Sequence, residues 1–398
     1  MKLWLYISCW EEHGGAPGIG LLRFDSESGE VEDLGKRFPE LSCNCTAVDR
    51  ERKILYITNE LHENPDCVKG GGGLIWAFKI DPATGELTMI SRVESCCPCP
   101  CYLSLTPDGK HLLCANHSSF NAVTRAVRGK DGFYHPEVVY DDAFVGLFRL
   151  NDDGSIGPLV EISLHNRYPV GGRGLHSHPH TAVLSPDGKL IACNDKGDAH
   201  IYMYCLEGEK LVLTTEPYAD APGSSPRYGV FHPEKPWYFV NHERNMRVNS
   251  FSYDADGVLT PINEASALPA GIEGDAAEIR AKLHAGEEPS SGRTPLEQQG
   301  FVISRDGAYL YDAVNGADAV SVLRVETDGS LELIQTKPIS GRWVRGCALS
   351  PDGRFLVATC LQSGGVHVLP IMPDGTLGDP VSHAEVHGGS YATFFPAE

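Results

Sequence analysis

One structural unit is written seven times along this chain. A short apolar strand, an x-P-D-G-type turn and a second strand recur as VDRERKILYITNE (48–60), LTPDGKHLLCAN (105–116), LSPDGKLIACND (184–195), FHPEKPWYFVNHE (231–243), ISRDGAYLYDAVN (303–315) and LSPDGRFLVATC (349–360). A companion hairpin follows each copy, and it occurs seven times, from GLLRFDSESGEV to VHVLPIMPDGTL, against six copies of the first half. The missing half is divided between the termini: YATFFP (391–396) reads as a first strand and LWLYISC (3–9) as a second. Pairing the two closes a ring. The pattern predicts an all-β fold, a seven-bladed β-propeller with four antiparallel strands per blade, formed as a single domain over 1–398.

Composition bears on partners and compartment. The 41% apolar content lets each blade bury both faces, and 43 Gly with 27 Pro suit a fold of tight turns. A formal charge of −20 with no basic stretch argues against nucleic acid or an anionic membrane as partner. A small anionic ligand stays compatible, because a few arginines reverse the field inside a pocket. No signal-peptide pattern opens MKLWLYISCW, and no run approaches the ~18 apolar residues of a membrane span, so a cytoplasmic location is expected. Thirteen cysteines, several inside strands (Cys114, Cys193, Cys205, Cys347, Cys360), fit a reducing compartment. The run Cys96-Cys97-Pro98-Cys99-Pro100-Cys101 and the pair Cys43-x-Cys45 lack zinc-ribbon spacing. They read as packed thiols, and no metal is expected there. There is no G-x-S-x-G elbow, P-loop or dinucleotide fingerprint, so no cofactor is expected.

The repeat also sorts the insertions. All P-D-G and D-x-x-G turns are short, and they share one face. The lid-like insertions at 61–73, 117–142, 164–177 and 264–297 all fall at the other connections, which open on the opposite face. The last contains AAEIRAKLHA, a short helical pattern. Aligning the blades places Asn44, Cys101, His180, Arg227, Gln299, Arg345 and Ser390 at one position of the innermost strands. Polar residues are costly in a core, so this ring is expected to face solvent at the pore mouth. Two residues earlier lie Ser42, Cys99, His178, Ser225, Glu297, Trp343 and Gly388. The second strands bring Glu60, Asn116, His117, His242, Glu243 and Asn315 to the rim, whereas His165, His176, His383 and His387 read as solvated loop residues.

Three segments carry a family resemblance: HSHPHTAVLSPDGKL (176–190), GSSPRYGVFHPEKPWYFVNHE (223–243) and GDAAEIR (274–280). They resemble the PHAHS, GSGPRHxxFHP…NE and NTAAEIR motifs of the lactonase family of seven-bladed propellers. That family includes 6-phosphogluconolactonases and carboxy-cis,cis-muconate cyclases. The resemblance implies a catalytic cluster of His178, His180, Arg227 and Glu243, with Arg280 as a further member. Here, however, sixteen residues separate Arg280 from its strand, and Arg345 or Arg293 are candidates to replace it. Substrate contacts are expected from Arg280, Arg345, Gln299, Asn116, His117, His242 and Asn44. The expected chemistry is opening of a sugar-acid lactone, with His180 activating water and an arginine stabilising the oxyanion or holding the substrate's anionic group. The partner is then a small anionic lactone or, for the alternative cycloisomerase, a dicarboxylate. A non-catalytic docking platform is the third possibility; it predicts a plain pore and a broad apolar face.

Overall fold

The computed structural model describes residues 2–165, 176–284 and 295–398. Seven antiparallel sheets of at least four strands and one two-stranded hairpin lie among them. Each sheet runs outward from an innermost strand in chain order, as in Cys43–Asp49, Ile54–Asn59, Leu74–Ile80 and Leu87–Glu94. The other innermost strands are Pro100–Leu105, Pro179–Leu184, Pro226–Phe231, Glu297–Ile303, Arg342–Leu349 and Gly389–Pro396. The last pairs with Lys2–Cys9, from Leu3 opposite Pro396 to Cys9 opposite Gly389. The fold is a seven-bladed propeller whose two termini close one blade.

Burial explains the strand sequences. Second strands such as ILYITN and HLLCAN are buried throughout, because neighbouring blades cover both faces. Outermost strands such as LTMISRVE are mostly exposed and carry charge along a free edge. A repeated latch joins the blades. Tyr6, Tyr56 and Tyr311 occupy one aligned position and donate their phenols to the Gly85, Gly154 and Gly375 carbonyls in the next blade's turn, at 2.8, 2.7 and 3.0 Å. At Gly154 the turn needs φ +80° and the space is closed: a Cβ would lie 2.1 Å from Ile54 Cδ1.

The longest connections gather at the end of the channel where the second strands finish. Cys99 donates its backbone N–H to Leu61, Ser118 to Pro98, and the His176 ring contacts the Ser119 carbonyl. The 117–142 segment forms a hairpin, Ala122–Arg128 with Tyr134–Tyr140, which no periodicity in the sequence announced. The helical pattern becomes Ala276–Leu283, held by a reciprocal cap between Asp275 and Glu278. The strand before it continues to Ser266, so that insertion begins later than 264. Residues 166–175 and 285–294, with Arg293, lie outside the described residues. No helix among the described residues is long and apolar enough to cross a membrane.

Closure should carry much of the stability. Phe394 on the closing strand is 4% exposed and meets Phe24 edge-to-face at 5.0 Å. Phe394→Ala should cost ~3–5 kcal/mol in urea unfolding, whereas Val381→Ala, at a site 49% exposed, should stay within ~0.5 kcal/mol.

Candidate active site

Every innermost strand slips register at the ring position. The irregularities fall between Cys43 and Thr46, Pro100 and Tyr102, Pro179 and Thr181, Pro226 and Gly229, Gln298 and Phe301, and Val344 and Gly346, with a seventh opposite Ser8 and Cys9. A β-bulge re-aims a side chain and leaves backbone groups without ladder partners. Second-strand side chains accept those N–H groups: Thr58 takes Cys45 at 3.0 Å, Asn241 takes Tyr228 at 2.9 Å, and Thr359 takes Gly346 at 3.0 Å. Asn44, Cys101, His180, Arg227, Gln299, Arg345 and Ser390 therefore converge, yet none faces solvent. All are buried, none more than 7% exposed. The expectation of a solvated ring fails because the converging side chains bond one another. Arg345 donates to the Gln299 and Asn44 amide oxygens at 3.2 and 3.3 Å, and the Ser390 hydroxyl donates to the Cys43 carbonyl at 3.0 Å.

A second ring sits above the first. Glu60, His117, Lys196, Glu243 and Trp10 donate their backbone N–H groups to Ser42, Cys99, His178, Ser225 and Gly388, five of the second-layer residues. The equivalent residues in the other two blades, one beyond the strand partners of Gln298 and Val344, are Asn315 and Leu361. Two of this ring close on Arg227. Glu243 Oε2 accepts from Lys196 Nζ at 2.6 Å and from Arg227 Nε at 3.0 Å, while Arg244 lies 3.7 Å from Oε1. Burial pushes the Glu243 carboxyl up, but Lys196 and Arg227 outweigh it and hold the group well below the usual carboxylate range. Lys196 was absent from the sequence reading. The signal was there, because NDK in the third blade aligns with NHE in the fourth.

The histidines form a packed group. The His178 ring stacks on His117 at 4.4 Å and meets His176 at 4.0 Å; His117 lies edge-on to His180 at 5.9 Å. The His178 Nδ1 faces the His117 carbonyl at 2.6 Å, so Nδ1 carries the proton. That leaves Nε2 as a bare acceptor, buried without a partner, as is Nδ1 of His180. Burial first, then Arg227 and Lys196, drive the His180 pKa well below the ordinary histidine value. His178 is lowered to about 3, by burial and then His176. Both rings are neutral at physiological pH.

Other expected residues are placed elsewhere. Asn116 bonds within its own strand, to the Cys114 carbonyl at 3.5 Å. His242 is clamped between Asp220 Oδ2 at 2.6 Å and the Arg247 carbonyl at 3.1 Å. Both belong to the strand-end position of Asn59 and Asp195, whose side chains accept the Ser42 and His178 backbone N–H groups at 2.9 and 2.6 Å. Arg280 is buried against Asp318 at 2.8 Å, and Asp318 also accepts the Trp343 N–H at 2.8 Å. That contact anchors the helix beside the rim and does not bring Arg280 to Glu243. His165 and His176 are not solvated: they are 1% and 5% exposed. His165 bridges Asp195 at 2.9 Å and the Tyr204 phenol at 2.8 Å, bracing the carboxylate that fixes the His178 backbone. In the cysteine run, Cys97 donates to the Asp142 carbonyl at 2.8 Å and Cys99 lies 3.4 Å from His62 Nδ1. Cys101 belongs to the inner ring, and burial raises all three thiol pKa values.

Comparison with known proteins identifies the scaffold. The sequence profile described as "Lactonase, 7-bladed beta-propeller" matches residues 4–394. The chain belongs to the lactonase family. It is 24% identical over 365 residues to a 6-phosphogluconolactonase of Bacillus subtilis (strain 168), covering 89% of this chain and 87% of that one. Among solved structures it shares its fold with the periplasmic gluconolactonase PpgL of Pseudomonas aeruginosa, at TM-score 0.79 and 22% identity over 100% of both chains. A protein from Lactobacillus plantarum matches at TM-score 0.77 and 19% identity, over 99% of both.

The cation pair on Glu243 makes a linkage prediction for this lactonase-family propeller. A carboxyl whose folded pKa lies below its unfolded value of ~4.3 contributes stability above that pH and loses it as pH falls further. Urea midpoints of wild type and Glu243→Gln, compared from pH 7 to pH 3, should therefore converge toward the acid end. A constant gap across that range would contradict the ion-pair assignment.

Proposed function

We propose that this propeller hydrolyses the lactone of a sugar acid, with a phosphorylated gluconolactone as the first candidate. The observation that carries the reading is His180: a buried, neutral imidazole with an unpartnered nitrogen, within electrostatic reach of Arg227 and Arg345. Family membership and the named relatives support the same class of reaction.

The chemistry follows from the groups present. A water attacks the lactone carbonyl carbon while His180 takes its proton. The tetrahedral oxyanion forms beside Arg227, whose guanidinium is fixed by Glu243 and so needs no reorganisation to meet developing charge. Collapse breaks the acyl carbon–ring oxygen bond, and the departing oxygen recovers the proton from His180. The product is the open hydroxy acid. Glu243 stays ionised throughout, because two cations share its Oε2. It positions Arg227 and leaves the proton work to His180. Lys196 holds Glu243 from the other side and, with Arg227, keeps His180 unprotonated.

A spectrophotometric or proton-release assay with 6-phosphogluconolactone and unphosphorylated aldonolactones tests this, with carboxymuconate cyclisation run in parallel. His180→Ala should lower kcat by ~10²–10⁴. Arg227→Ala should impair KM and kcat together. Lys196→Met removes a cation that depresses His180, so the acid limb of the pH–rate profile should move to higher pH. Wild-type turnover of every lactone by the His180→Ala, Arg227→Ala double variant would refute the site. A wild type inert toward all lactones and muconates would favour the docking platform.

A further inference from the structure

Arg345 is a buried cation that no carboxylate touches among the described residues; Glu60 and Glu297 act on it only from a distance. It is 7% exposed and makes no ion pair with a carboxylate among the described residues. Its two described hydrogen bonds go to the neutral oxygens of Gln299 and Asn44. A buried charge without a partner costs several kcal/mol, so this arrangement is built for an anion that arrives from outside.

The amides that hold it are themselves locked. The Asn44 Nδ2 donates to Glu60 Oε2, and the Gln299 Nε2 donates to Glu297 Oε2 at 3.0 Å. Each carboxylate takes the amide's NH2 and turns the amide's oxygen toward Arg345. The relay Glu60–Asn44–Arg345–Gln299–Glu297 thus aims a guanidinium from both sides while keeping both negative charges one residue away. Two of its five N–H donors are used in this way, and the others remain.

The surroundings supply further donors. The guanidinium carbon of Arg345 lies over the Trp10 ring, 4.1 Å from its centre. His13 stacks on Trp343 at 4.7 Å and meets Trp10 edge-on at 5.3 Å, so one ring ties the two indoles together. Both indole N–H groups are buried with no hydrogen-bond partner, on residues 8% and 6% exposed. Orphaned donors of this kind are rare in a finished core.

We propose that Arg345, Trp10 and Trp343 form an oxyanion-recognition pole of the channel, three blades from His180, and that Glu60 and Glu297 set its aim through Asn44 and Gln299. The ligand group is a carboxylate or a phosphate monoester, since both offer several acceptor oxygens to a guanidinium fork. Under the lactonase reading, this pole holds the charged end of the substrate while its acyl group lies at His180 and Arg227. The site's existence does not depend on that reading.

Intrinsic tryptophan fluorescence tests it directly, using inorganic phosphate, gluconate and 6-phosphogluconate as probes. Wild type should give a saturable change, and Trp10→Phe should remove most of it. Arg345→Gln should weaken the probe by about 10–100-fold. Arg345→Lys should recover only part of the loss, because it restores the charge without the fork. Glu297→Gln should weaken binding several-fold through the freed amide, and Val381→Ala, at an exposed position with no role in the site, should bind within about twofold of wild type. Thermal melts of each variant confirm folding. A response to phosphate but not gluconate assigns a phosphate group, and the reverse assigns a carboxylate. The proposal is overturned if Arg345→Gln binds like wild type, if Val381→Ala loses as much as Arg345→Gln, or if wild type responds to none of the probes. A wild type that binds a probe but opens no lactone retires the lactonase reading and leaves this pole standing.

Discussion

The channel exists because seven strands each break their ladder at one residue. A regular innermost strand would direct its side chains only at the two neighbouring blades, and the propeller's centre would be lined by backbone. The bulge at the ring position turns one side chain per blade inward and leaves backbone N–H groups that need new acceptors. Thr58, Asn241 and Thr359 meet that need from the second strand. Thr58, Asn241 and Thr359, in the buried second strands, are therefore structural, and the ring side chains are left free of that duty. The same device repeats in every blade, so only the identity of the ring residue distinguishes His180 from Cys101 or Ser390.

Charge then divides the channel. On one side Arg227 and Lys196 share a single carboxylate, Glu243, and the uncharged histidines stand beside them. On the other, Arg345 has only amide oxygens and an indole face. In the first arrangement both cations touch a carboxylate; in the second the guanidinium touches none among the described residues. A neutral base beside a paired arginine suits a step in which charge appears briefly. An unpaired arginine suits a charge that is present from the start. The low basicity of His180 follows from burial first and then from the same cations, so the imidazole stands unprotonated beside groups that favour an oxyanion.

Blade number, closure and the inner ring were legible because they depend on period and alignment, which survive sequence divergence. Burial of the ring was not legible, since polarity at a strand start reads as exposure until the bulge and the mutual hydrogen bonds are seen. At the rim, Glu60, His117, Glu243 and Asn315 stand at the aligned ring position, whereas Asn116 and His242 stand one residue short of it. Asn116 and His242 were chosen for their polarity, but their aligned partners Asn59 and Asp195 fix the preceding segment's backbone. The residues one step further on, Lys196 and Trp10 among them, reach the channel. Loop residues gave the weakest signal: His165 and His176 look solvated in sequence and are buried only because inserted segments fold back over the channel end.

The arrangement carries a thermodynamic consequence. A propeller with seven equivalent positions could fill its centre with small apolar or hydroxyl groups, as Cys101 and Ser390 do in their blades. Instead three cations, three carboxylates and three imidazoles gather there, and several polar atoms among them and their neighbours lack partners. Such groups are tolerated where the surrounding scaffold over-determines them. Here that scaffold is the closed ring of blades, latched by Tyr6, Tyr56 and Tyr311 and sealed by the terminal strands. Stability supplied at the periphery is what permits an under-satisfied centre, where the indole nitrogens of Trp10 and Trp343 and ring nitrogens of His178 and His180 lack partners.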